Sequence, residues 1–114
     1  MEIQKPADPQ NLSPLELTHW PQIKLIKPKI DKKFAVQIQI GQKPHIMTAD
    51  HLIVFVELYA GNKPIGKKFL KPSDAPEAEF TVLLDKPAKI IAQAFCNLHG
   101  LWENEADLDL SDNS

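Results

Sequence analysis

A chain of 114 residues with formal charge −2 and a pI near 6.0 holds one modest core and has no general attraction to nucleic acid or anionic membranes. Its longest apolar stretch, Ile53–Val54–Phe55–Val56, ends at Glu57, far short of the ~20 residues that cross a bilayer, and the opening MEIQKPADPQ has no apolar signal core. A single cysteine excludes an intrachain disulfide and a cysteine-only zinc or iron site within one chain, and the expected location is a reducing cytoplasm.

Residues 1–21, punctuated by Pro6, Pro9, Pro14 and Pro21, read as an irregular, extended arm rather than a helix. A first strand is expected over 22–27, ended by Pro28. In the next, over 34–40, Phe34, Val36, Ile38 and Ile40 alternate with Ala35, Gln37 and Gln39, the mark of a half-buried strand stopped by Gly41. An apolar strand over 52–60 turns at Gly61–Asn62, and shorter strands are expected over 65–70, 79–84 and 89–95. Residues 71–77 and the pair Asp85–Lys86 serve as turns, and the acidic tail 103–114 reads as solvated and frayed. Short strands between Pro, Gly and Asp turns, with no helical periodicity, imply a single all-β domain over 1–114, an antiparallel sandwich or barrel.

The chemistry-bearing residues are His19, His45, His51, His99 and Cys96, each on a loop or strand end. Imidazoles and a thiolate suit iron, zinc, copper or nickel better than magnesium or calcium. Alone, each has a plainer reading: a surface histidine, or a cysteine packed as a small hydrophobe. Together they fall on connections that a sandwich can gather at one end, although composition does not choose the metal. Five ligands overfill a tetrahedral structural zinc site and suit a six-position metal with one place open. No serine triad, acid–base pair or phosphate loop competes, and Gly61 and Gly66 are turn glycines. Met47, Trp20 and Trp102 are read as packing side chains.

The segment Pro44–His45–Ile46–Met47–Thr48–Ala49–Asp50–His51 resembles the two-histidine segment of superoxide reductases, the neelaredoxin and desulfoferrodoxin group. Cys96–Asn97–Leu98–His99–Gly100–Leu101–Trp102 is similar to their second signature, and Thr18–His19–Trp20–Pro21 to the end of their N-terminal histidine loop. The resemblance implies an immunoglobulin-like sandwich of about seven strands with one non-haem iron, Fe(2+)/Fe(3+), per chain. His19, His45, His51 and His99 would be its nitrogen ligands and Cys96 its axial thiolate, with the Asn97 and Leu98 N–H groups near the sulfur. It further implies one-electron reduction of superoxide to hydrogen peroxide, re-reduction by a rubredoxin-like or other small donor, and a homo-oligomer, dimer or tetramer. With one cysteine, the four-cysteine iron domain of two-iron relatives is expected to be absent.

One departure stands out. Family members commonly carry a Glu–Lys pair immediately before the first histidine, where this chain has Leu17–Thr18, with Glu16 one residue too early. Thr18, Lys24 and Lys43 are therefore the candidates for the open face. A competing expectation on the same sandwich is an electron-transfer or structural metal protein without reductase activity.

Overall fold

Phe34, Val36, Ile38 and Ile40 are buried along β3 (Lys33–Ile40), while the residues between them keep some contact with solvent. The same two-residue period runs along β7 (Ala88–Cys96), where Ile90, Ala92, Ala94 and Cys96 are buried. Because successive side chains of a strand point to opposite faces, each strand offers the core one apolar row. In the computed structural model, which describes residues 2–26, 33–83 and 86–108, these rows join one core between two sheets.

The smaller sheet is antiparallel, in the order β2 (Pro21–Ile26), β3, β6 (Glu77–Leu83). The larger runs β1 (Ile3–Gln4), β8 (Gly100–Leu108), β7, β4 (Ile53–Ala60), β5 (Lys63–Phe69) and is antiparallel except for the β1–β8 pair. Val36 and Ile38 from one sheet meet Val56, Leu58 and Ile90 from the other, all essentially inaccessible to water. Each such side chain contributes roughly 1.5–3 kcal/mol of burial. The all-β sandwich expected from the strand pattern is the fold observed, with the two-residue β1 as an eighth strand.

Three expectations about the secondary structure need correction. The arm over 1–21 contains α1 (Pro14–His19), a six-residue helix closed at its N-terminus by a capping box. The Glu16 N–H donates to Ser13 Oγ at 3.1 Å, and the Ser13 N–H donates to Glu16 Oε1 at 2.8 Å. With Pro14 at the start, where a missing N–H costs nothing, these bonds outweigh the breaking effect expected of the prolines. The second correction concerns the acidic tail. Residues 103–108 belong to β8, paired along its length with β7, and Glu103 is buried, bonded to Gln93 Nε2 at 2.9 Å and Lys5 Nζ at 3.1 Å.

Residues 109–114 lie outside the described residues, as do Pro28, the expected stop of the first strand, and Asp85 of the expected turn. Glu77, assigned to a turn from sequence, begins β6.

Candidate metal centre

Ile40, Ile53 and Cys96 lie at the same end of the sandwich, since Ile53 pairs with Cys96 and Ile40 pairs with Pro21 just after α1. Three chain segments meet there. The last residue of α1 supplies His19, the β3–β4 connection supplies His45 and His51, and the final residue of β7 supplies Cys96. Cys96 is the next inward position after Ile90, Ala92 and Ala94, so the alternation that builds the core also delivers the thiol to the site.

One ligand atom from each of His19, His45, His51 and Cys96 lies within 4.8 Å of all the others. His45 Nε2 is 3.2 Å from His19 Nε2 and 3.5 Å from Cys96 Sγ. His99 stands at the edge of this group. Its Nδ1 is 3.7 Å from Cys96 Sγ and its ring centroid 4.9 Å from that of His19, but it lies outside the mutually close set. It sits on the exposed turn between β7 and β8, whereas His19 and His45 are buried.

Hydrogen bonds set the tautomers. His19 Nδ1 lies 2.8 Å from Leu15 O, and His45 Nδ1 is bonded to Ile46 O. A carbonyl oxygen only accepts, so both Nδ1 atoms carry the proton and both Nε2 atoms present lone pairs. The 3.2 Å Nε2–Nε2 approach therefore places two acceptors face to face, which is unfavourable unless a cation lies among them. Among the described residues His51 Nε2 is buried with no hydrogen-bond partner, a cost of roughly 1–3 kcal/mol if nothing binds it. A metal ion would relieve both defects, so the residues present fit a bound metal.

Burial lowers the pKa of His45 to about 4, opposed by its bond to Ile46 O and reinforced by His19, His51 and His99. Burial also lowers that of His19, opposed by Leu15 O and reinforced by His99 and His51. Both imidazoles are thus neutral near pH 7, the form that binds metals. The stability of the metal-free chain follows. Between pH 6.5 and about 4 the unfolded chain takes up a proton at His45 that the folded chain refuses, so stability falls with pH across that window. Urea midpoints of chelator-treated protein should drop from pH 7.5 to 4.5, and His45→Gln should reduce the drop. An equal drop in the variant contradicts this.

The open-face candidates are placed differently from one another. Lys24 is exposed on β2 and belongs to a cleft with Gln37 and Glu79 that none of the cluster residues lines. Thr18 Oγ donates to Leu15 O at 3.2 Å and lies 3.0 Å from His19 Nδ1, so it braces the His19 anchor. Lys43 is exposed in the turn leading to His45, its N–H bonded to Leu17 O at 3.1 Å. Glu16, one residue early for the family position, is engaged in the capping box. The Asn97 N–H, expected near the sulfur, instead donates to Leu52 O at 3.2 Å.

Met47 packs against the core, its Sδ accepting from the Ile53 N–H at 3.4 Å. Trp102 stands 5.2 Å from the His19 ring and donates to His99 O at 3.2 Å, while Trp20 donates to Glu103 O at 2.8 Å. Gln4 was not singled out from sequence, yet its side-chain amide donates to His99 O and joins the N-terminal arm to the ligand turn. No local pattern marks it, since the contact spans 95 positions.

Fold and cluster together define a β-sandwich protein with a three-histidine, one-cysteine metal-binding centre. The sequence model of the Desulfoferrodoxin family matches residues 11–105, and the chain belongs to that family. It is 46% identical over 70 residues to the desulfoferrodoxin of Nitratidesulfovibrio vulgaris (strain Hildenborough), covering 61% of this chain and 52% of that protein. It is 39% identical over 85 residues to a superoxide reductase of Pyrococcus horikoshii, covering 65% of this chain and 74% of the relative. A superoxide reductase (neelaredoxin) from Ignicoccus hospitalis matches in structure with a TM-score of 0.70 at 34% identity, over 81% of this chain and 80% of that one. The chain spans about half the length of the desulfoferrodoxin it matches.

Proposed function

We propose that this chain reduces superoxide to hydrogen peroxide at a single iron held by His19, His45, His51 and Cys96, with His99 as a fifth ligand. The observation that carries the reading is the convergence of three imidazoles and the cysteine, with His51 Nε2 buried and unpartnered among the described residues, in a family member. When bound, iron supplies a one-electron couple and a positive centre for an anionic substrate. The balance is one superoxide, one electron and two protons giving one hydrogen peroxide. No oxygen is released, and a small external donor returns the electron.

The protein's own residues account for the rest. Leu15 O and Ile46 O hold the rings of His19 and His45 with Nε2 turned inward. Trp102 covers one side of His19, limiting water on that flank. With Leu17–Thr18 in place of a charged pair, Lys43 is the basic side chain this reading assigns to attracting the substrate, and solvent supplies the protons.

Mixing the ferrous protein with pulse-generated superoxide tests the proposal. The expected result is rapid iron oxidation with one peroxide formed per superoxide and no oxygen evolved. The rate should fall with added salt and fall further in Lys43→Ala, as screening of a local positive field requires. Iron that stays ferrous, or oxygen evolution, would sink the proposal.

A further inference from the structure

His19 and His45 are each fixed at Nδ1 by a carbonyl, but among the described residues the buried His51 Nε2 has no hydrogen-bond partner. What holds His51 in place is its backbone. Thr48 braces it from within the loop: the His51 N–H donates to Thr48 Oγ at 3.1 Å, and the Thr48 N–H donates to His51 O at 2.9 Å. From across the site, Asn97 makes three further bonds. Its Nδ2 donates to Asp50 O at 2.9 Å, its Oδ1 accepts from the Leu52 N–H at 3.0 Å, and its own N–H donates to Leu52 O at 3.2 Å. The residues on both sides of His51 are thereby tied to the residue that follows Cys96.

We infer that Asn97 is a positioning residue that locks the His51 loop to the Cys96 turn and so sets the spacing between imidazole and sulfur. The side-chain chemistry is specific. A primary amide offers a donor and an acceptor on one short, planar group. Aspartate lacks the donor, leucine lacks both, and glutamine is one methylene too long for the same span. Because Asn97 is exposed, its bonds are not needed to fill the core, and their effect is directed at the relative placement of two ligand segments. The inference rests on the metal-centre reading only for its functional consequence; the clamp itself is a property of the chain.

Two measurements test it. In the metal-free chain, Asn97→Ala should speed amide exchange at Leu52 by about tenfold, while Asn97→Asp, which keeps the acceptor, should leave Leu52 protected. Unchanged exchange at Leu52 in Asn97→Ala overturns the clamp. The second is a double-mutant cycle read by cobalt(II) affinity. Asn97→Ala should weaken binding roughly 10–100-fold in the parent, as loss of an outer-shell partner does, and should have little further effect in a His51→Ala background. Equal losses in both backgrounds, or no loss in the parent, overturn action through His51. A parent chain that takes up no metal sinks the metal-centre reading alone, and the exchange result then decides the clamp.

Discussion

On the proposed function, Cys96→Ser should abolish the visible thiolate-to-ferric absorption of the iron-loaded protein and lower the rate of superoxide reduction by more than about 100-fold, beyond the range for loss of an outer-shell partner. The change removes one sulfur and little volume. Cys96 is fully buried beneath the histidines, at the end of the inward row Ile90, Ala92, Ala94. A serine hydroxyl there has His45 Nε2 within reach as an acceptor, so the metal-free fold should survive with a urea midpoint near that of the parent. Spectrum and stability thus separate. Retention of the absorption band in the serine variant would refute Cys96 as a ligand, whereas loss of the fold would show that its role in packing is the larger one.

Gly41→Ala should be among the most damaging single-methyl additions in the chain, costing about 2–5 kcal/mol. Gly41 has φ +89°, a conformation that L side chains rarely adopt. A Cβ there would collide with the carbonyl oxygen of Lys43 and come within 2.8 Å of the Thr18 backbone. The collision is with main chain on both sides, and that main chain carries ligands. The Gly41 N–H donates to Trp20 O at 3.2 Å and the Lys43 N–H to Leu17 O at 3.1 Å, so this turn seats the end of α1 beside the loop leading to His45. Forcing them apart should weaken metal retention along with stability. Gly61→Ala is the control. Its φ is +62° but among the described residues nothing lies within 4 Å of the added carbon, and it sits at the other end of β4 from the site. It should cost only the left-handed strain of about 1–2 kcal/mol and leave metal binding intact. Urea denaturation and metal content of the two variants check this; equal losses would contradict it.

Some of what sequence reading missed was nonetheless written locally. Ser13–Pro14–Leu15–Glu16 carries the Ser-x-x-Glu capping pattern with proline at the first helical position, but six residues are too few to show a helical period. In β8, Trp102, Asn104, Ala106 and Leu108 alternate with Glu103, Glu105 and Asp107, a two-residue period masked by the density of charge. Other features had no local signal. The bond from Gln4 to His99 O and that from Trp20 to Glu103 O join segments 95 and 83 positions apart.

The sequence by itself determined the sandwich, through apolar alternation, and the kinds of ligand, through the two signature segments around His45–His51 and Cys96–His99. Those are properties of residue type and short-range order, which survive without coordinates. Only the tertiary structure decided that His19, His45, His51 and Cys96 form the close set while His99 stands at its rim, and that Lys24 faces another surface. The physical reason is that ligand spacing is set by strand pairing, the Gly41 turn and the Asn97 bonds acting together. Each of these joins parts of the chain that no local pattern connects.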